Sequence, residues 1–340
     1  MPNVLFTQTC TRSCPYCFAK KHLSNSTPTD IISWENLIYL ADFFSLSGHK
    51  RFQILGGEPT LHPDFNDMVT YLLERGFGIN VFTNGIMSDE KLFEASTLFV
   101  DIPPEKLSFT CNLNEPKSTP QSLSETESVR RFLGTFGERI TPGFNIYRLD
   151  FDLNFLFQYI NEFGLNRTIR MGLAHPIAGK NNKYIALSDI KKIIDRLFSF
   201  VPVMERLRIK PGLDCGFPLC KFNDDQLGWL YRNTGGHYDF GCAPVIDIGP
   251  DMTIWPCFPL SDFHKKSIFD FNSIDEIFRY YDDIHRKVRV EVSGIYEECD
   301  SCKYREENIC KGGCLAHNLN NFLKEHPVRM KEMYEFSSNE

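Results

Sequence analysis

Three cysteines, Cys10, Cys14 and Cys17, constrain this chain more than any other feature. They follow the apolar run 4–6 at a C-x3-C-x2-C spacing, in a loop too short to bring a fourth ligand of its own. An iron–sulfur cube held by cysteine takes a ligand at each of its four irons. Three thiolates therefore leave one iron open to a substrate or cofactor. The alternatives are a zinc knuckle or a chance cluster of core cysteines. Structural zinc closes a four-coordinate shell, which three thiolates do not complete.

Other residues join this loop in a fixed order. Tyr16 fills the position before the third cysteine. Gly56, Gly57, Glu58 and Pro59 follow the apolar segment 52–55, and Thr83, Asn84 and Gly85 follow Val81 and Phe82. The cysteine loop, the GGEP run and the TNG run together resemble the radical S-adenosylmethionine (SAM) superfamily. The resemblance implies a [4Fe–4S] cluster whose open iron chelates the amino and carboxylate groups of SAM. It also implies that one electron breaks the bond to the 5′ carbon, and that the 5′-deoxyadenosyl radical takes hydrogen from an unactivated C–H bond. The cofactors carry such chemistry, while the protein orients them and excludes water and oxygen.

The first two-thirds of the chain alternate strand-like and helix-like segments. Trp34, Leu37, Ile38 and Ala41 share a helical face, which Ser33 can cap and Gly48 can end. Pro63 is placed to open a second helix, with Phe65, Met68, Val69 and Leu72 on one face and Gly76 at its end. Strands are expected at 52–55, 77–83, 106–112, 139–147 and 168–174, and a closing helix at 190–200. This alternation predicts a parallel sheet, and six such units suit a partial (β/α)6 TIM barrel, the fold the resemblance also implies. Ligands in parallel α/β folds bind at the C-terminal ends of the strands. The cysteine loop, Glu58, Thr83 and Asn84 should therefore converge on one rim. Glu58 is a candidate acceptor for the SAM ammonium group, and bare Gly56 and Gly57 allow close backbone approach. Asn112 and Asn145, at strand ends, are candidates for the ribose, and Arg170 for the SAM carboxylate. Cys111 lies in a strand-like run and reads as core.

With 340 residues, 42% of them hydrophobic and 24% charged, the chain has room for one large domain or two smaller ones. Its 30 Phe residues suggest aromatic-rich walls as well as core. A net charge of −7 argues against nucleic acid as the main partner. No run is apolar enough to span a bilayer, and no signal peptide is evident. Twelve cysteines without an export signal read as metal ligands rather than disulfides, in a cytoplasmic protein.

A boundary is expected at 202/203, with a radical SAM barrel over 1–202 and an auxiliary cluster domain over 203–340. Eight cysteines fall in the second part: Cys215, Cys220, Cys242, Cys257, Cys299, Cys302, Cys310 and Cys314. Two cubes with four thiolates each would use them all; two structural zinc sites are the alternative. This segment resembles the SPASM extension of peptide-modifying radical SAM enzymes. Cys242 and Cys257 enclose a hairpin-like stretch, 245–256, with Met252 where that extension usually has glycine. The block from Cys299 to Cys314 resembles its C-x2-C-x5-C-x3-C pattern, but the middle gap is seven residues. The resemblance implies one auxiliary cluster on Cys242, Cys257 and Cys314 and another on Cys299, Cys302 and Cys310. Cys215 and Cys220 would complete one each, in either pairing, unless one iron stays open. His317 reads as a surface residue rather than a ligand, and the tail after 335 as disordered.

The favoured function is a peptide maturase that forms a thioether or carbon–carbon crosslink in a ribosomally made precursor peptide, with flavodoxin or ferredoxin as electron donor. The competing readings are a sulfatase-maturing enzyme, a small-molecule dehydrogenase and a zinc-bound scaffold without turnover. Sulfatase-maturing relatives typically carry an Asp proton acceptor directly after the cysteine that closes the hairpin; here that position is Phe258. The chain is expected to start directly at the barrel, without a fused leader-binding domain. A precursor is then expected to be gripped by the barrel mouth, the cysteine-rich region and the loop 179–183, or by a separate partner.

Overall fold

A computed structural model describes residues 1–19, 27, 30–178, 182–235, 241–292 and 296–325. Most of the loop 179–183 and the tail after 335 lie outside these residues. Strand β1, Asn3–Thr7, opens the first of four βα units: β1 with helix α1, Trp34–Leu46; β2, Arg51–Gly56 with α2, Phe65–Glu74; β3, Gly78–Thr83 with α3, Asp89–Leu98; β4, Leu107–Asn112 with α4, Pro120–Phe136. Then come β5, Ile140–Ile146 with α5, Asn154–Phe163; β6, Thr168–Leu173 with α6, Ile190–Phe198 and α7, Val201–Arg206; and β7, Lys210–Leu213 with α8, Asp224–Thr234. Strands β1 to β7 pair in chain order and every pairing is parallel. This is the open, partial-barrel arrangement that the βα alternation predicts.

The local reasons are visible. The Ser33 hydroxyl accepts the Asn36 N–H and caps α1. The second helix starts later than Pro63 because a short 3-10 turn, Pro59–Leu61, intervenes, with Glu58 as its capping residue. Apolar helix faces lie on the sheet, and the Phe residues meet there: Phe44 stacks on Phe52 at 4.5 Å and Phe52 meets Phe77 edge-on at 4.8 Å. Cys111 is fully buried in this core, and burial pushes its thiol pKa up to about 12.

The second part of the chain does not start a separate sheet. Strand β8, Asp247–Ile248, adds to the free edge of β1 in parallel, and Asn3 Nδ2 donates to Asp247 Oδ1 at 2.7 Å. Strand β9, Thr253–Trp255, forms a hairpin with β8, and β10, Lys266–Ser267, pairs with β9, giving a ten-stranded sheet among the described residues. Helix α9, Ile274–Lys287, follows, then α10, Lys303–Glu306, inside the gap between Cys302 and Cys310, and α11, Leu315–Glu325, directly after Cys314. The boundary expected at 202/203 would fall within α7.

Candidate functional site

The loop of Cys10, Cys14 and Cys17 leaves the C-terminal end of β1, next to the ends of β2 and β3. Its base is built by backbone. Gly57 N–H donates to Thr7 O and Glu58 N–H to Thr9 O, both at 2.8 Å. A Cβ on Gly56 would stand 2.3 Å from Thr7 O, and one on Gly57 would stand 2.2 Å from Thr9 O. The two glycines are therefore required by close approach of the chain to itself, beneath the cysteine loop.

Glu58 serves the same construction. Its carboxylate is fully buried. Oε1 accepts from the Thr60 N–H (3.3 Å), the Thr60 hydroxyl (2.9 Å) and the Thr83 hydroxyl (2.7 Å), while Oε2 accepts from the Asn84 N–H at 2.7 Å. Burial pushes its pKa up, and these four donors oppose that push. Glu58, a candidate acceptor for a ligand ammonium, in this structure ties the GGEP turn to the TNG turn. Asn84 then reaches the loop: its Nδ2 donates to Thr11 Oγ1 at 3.1 Å and lies 4.0 Å from Cys10 Sγ.

The remaining rim residues also have partners in the chain. Tyr16 stacks on Tyr147 with centroids 4.7 Å apart, and its hydroxyl donates to Asn114 Oδ1 at 2.8 Å. Asn145 bonds the Tyr16 hydroxyl as well, whose pKa burial pushes up. Asn112 ends β4 in register with Gly143, and its buried Oδ1 has no partner among the described residues. Arg170 packs over Phe82 at 5.2 Å and is ion-paired with Asp214, so a ligand carboxylate would have to compete for it. Arg12 was not singled out from sequence. Its N–H lies 3.4 Å from Cys10 Sγ, and its guanidinium joins the Asn112 carbonyl (3.1 Å) to Glu125 (3.1 Å). Its position inside the cysteine loop was the available signal. Burial raises the Cys10 thiol pKa, with the Glu58 and Cys14 charges adding to the effect and Arg12 opposing it.

The other cysteines fall into two groups. Cys242, Cys257 and Cys314 share a small apolar cluster with α11 residues. Cys242 bonds Cys314 and receives the Leu315 N–H at 3.5 Å. Cys257 lies within electrostatic range of Cys242, Cys314 and Cys215, and burial pushes its thiol pKa well up. Cys299 is likewise within range of Cys220, Cys310 and Cys302. Cys215 thus lies near the first trio and Cys220 near the second, a placement that cysteine spacing alone leaves open. The loop carrying both reaches the last block, since Pro218 faces Gly313. Each group has four soft thiol donors, the set that suits a cluster. Among the described residues no three metal-binding side chains converge closely enough to hold a single metal ion.

Two histidines border the first group. His317, expected at the surface, is buried, and its ring meets His175 and Tyr184 edge-on, each at 5.7 Å. Burial, with His175 and Lys324 adding, pushes its pKa down to about 3. Phe258 is buried against Phe18 and Trp255, both at 5.7 Å, and so packs the hairpin against the first cysteine loop.

Comparison with known proteins agrees with this geometry. Residues 4–108 match the Radical SAM superfamily. The S-adenosylmethionine-dependent nucleotide dehydratase of Selenomonas ruminantium is 36% identical over 92 residues, 26% of this chain and 32% of that protein. That match, like the one to the bovine molybdenum cofactor biosynthesis protein 1, spans a third or less of the relative's own length. The antilisterial bacteriocin subtilosin biosynthesis protein AlbA of Bacillus subtilis is 22% identical over 92% of this chain and 66% of its own. Streptococcus suis SuiB bound to precursor peptide SuiA superposes with a TM-score of 0.64 at 16% identity, covering 96% of this chain and 73% of SuiB. The structure of anSMEcpe with bound AdoMet superposes with a TM-score of 0.63 at 17% identity, covering 100% of both chains. At these identities the structural likeness is one of fold. The matched residues are the strands and turns that carry the cysteine loop, the GGEP run and the TNG run, so the first third of the chain is similar to the radical SAM superfamily.

Proposed function

We propose that this chain is a radical SAM enzyme that modifies a peptide or protein substrate, forming a thioether or carbon–carbon crosslink in a ribosomally made precursor. The observation that carries this reading is similarity to a bacteriocin biosynthesis protein along nearly the whole chain, cysteine-rich half included. The shared fold with a peptide-bound enzyme supports it. On this reading Cys10, Cys14 and Cys17 hold a [4Fe–4S] cluster with SAM, which supplies reductive cleavage of SAM and hydrogen abstraction. Tyr16, Gly56, Gly57, Thr83 and Asn84 shape its rim, and Glu58 orders that rim from beneath. Asn112, with its unpartnered oxygen, Asn145 and Arg170 face the nucleoside and carboxylate parts of SAM. Cys215, Cys242, Cys257 and Cys314 hold one auxiliary cluster and Cys220, Cys299, Cys302 and Cys310 a second, within the part of the chain from about 203 onward. Flavodoxin or ferredoxin donates the electron, in the cytoplasm. Among the described residues no helix is long and apolar enough to cross a membrane.

Phe258 speaks against formylglycine formation, because a buried phenyl ring cannot take a proton where an Asp would. The test is anaerobic incubation with SAM, a reductant and either a Cys-rich precursor from the same gene neighbourhood or a sulfatase-motif peptide. Loss of two hydrogens from the precursor, with its thiol blocked to alkylation, is the expected result. An aldehyde formed on the sulfatase peptide would overturn the reading. Reconstituted protein is expected to bind about twelve irons per chain.

A further inference from the structure

His175 follows β6 on the ligand rim and is buried. Its Nε2 lies 3.8 Å from Cys215 Sγ. Three neighbours hold the residue, one through its backbone and two against its ring. The His175 carbonyl accepts from Asn182 Nδ2 at 2.8 Å. Gly216, at φ +102°, sits so close that a Cβ there would stand 2.2 Å from the imidazole Cε1. His317 meets the ring edge-on from α11, the helix that begins directly after Cys314 and whose first N–H points at Cys242. The imidazole is thus wedged between the loop that carries Cys215 and the helix that follows Cys314.

A metal-bound thiolate has no proton to give, so an imidazole facing it must present an N–H. That selects the Nε2–H tautomer, with Nδ1, buried and without a hydrogen-bond partner among the described residues, as the bare nitrogen. We propose that His175 is a positioning residue for the first auxiliary centre: its Nε2–H donates to the Cys215 sulfur, holds that thiolate in place and raises the centre's reduction potential. Hydrogen bonds to ligand sulfur are one of the protein's levers on cluster potential. Cys215 is itself exposed, so this buried donor gives it a fixed partner that solvent does not. The inference rests on the reading that Cys215, Cys242, Cys257 and Cys314 hold a cluster.

The experiment uses the full chain with Cys10, Cys14 and Cys17 replaced by Ala, reconstituted with iron and sulfide, reduced, and carrying isotopically labelled histidine. Pulsed paramagnetic resonance should show a weak histidine-nitrogen coupling that disappears in His175→Phe. A redox titration should place one auxiliary centre at a more negative potential in His175→Phe, with His175→Gln, which keeps a donor, near the parent value. A strong coupling, as from a directly bonded imidazole, would overturn the proposal, and so would no coupling at all. Equal potentials in the Phe variant and the parent would also overturn it. Should the Phe variant fail to fold, the labelled parent spectrum and the Gln variant decide. Absence of iron from the triple-Ala protein would instead remove the auxiliary-cluster reading itself.

Discussion

Strands β2 to β6 run six or seven residues each and bury apolar side chains against helices. The segment 296–314 contains single helical turns, mostly exposed, and three partly exposed thiols. The two regions draw their order from different sources. The barrel strands gain roughly 25 cal/mol for each Å² of apolar surface they bury. The last cysteine block has little such surface, and ligation is what can hold it, because metal binding to an otherwise weak fold is itself folding free energy.

Iron removal should separate the two regions most strongly. In chelated, iron-free protein, backbone amides of 296–314 are expected to exchange at nearly unprotected rates while those of β2 to β5 stay protected. Hydrogen exchange read by mass spectrometry tests this, and equal protection with and without iron would show that packing alone orders the block. Reloading should speed up as pH rises, because burial holds Cys10 and Cys257 protonated, the Cys314 hydrogen bond and then burial do the same for Cys242, and those protons must leave.

A second effect sits where the two regions are stitched together. Asp247 of β8 is buried, accepts from Asn3 and the Phe258 backbone, and has a pKa raised from 3.8 to about 7, chiefly by burial. Its unfolded form ionises first. Stability from this group is therefore full below the unfolded value and falls as pH rises toward the folded one. The slope reaches up to about 1.4 kcal/mol per pH unit. Denaturant melts from pH 4 to 8 should show this fall in the parent and a flatter profile in Asp247→Asn. Parallel profiles would place the carboxylate in a more polar setting than the structure gives it.

Within the barrel, Glu58→Gln puts an amide where four donors converge. One of the four loses its acceptor, at about 1–3 kcal/mol. Melts should show that loss with the auxiliary thiols unaffected, and SAM affinity should fall with all clusters in place. Thr83→Val should couple to it in a double-mutant cycle; additive losses would mean the two side chains do not share the bond.

These regions also differ in how far the sequence disclosed them. Hydrophobic periodicity and punctuating glycines located β2 to β6 to within a residue or two, since buried parallel strands read as short apolar runs. The strand-end placement of Cys10, Glu58 and Asn84 followed from that. Periodicity cannot detect β8 to β10, at two or three residues each, nor show that β8 joins β1 across 244 residues through Asn3 and Asp247. Nor does a motif say what a side chain faces. Glu58 and Arg170 are both occupied by protein partners, Thr83 and Asp214 among them, and His317 is buried because α11 turns it inward. The grouping of Cys215 and Cys220 depended on a loop path that spacing alone does not fix.

The smallest expected effect concerns Met252, where the hairpin of the second region departs from the usual glycine. Its φ is +66°, a left-handed value that costs a side-chain-bearing residue about 1–2 kcal/mol, yet its side chain is buried in the main core. Packing opposes backbone preference here, and Met252→Gly changes both at once. Met252→Ala loses nearly the same packing but keeps the strained backbone. The Gly variant should therefore be the more stable of the two by about 1 kcal/mol, with both below the parent because the lost burial outweighs the relief. Melts of the three proteins decide it. A Gly variant more stable than the parent would mean that the turn's backbone, and not the barrel core beneath it, sets the stability of the hairpin.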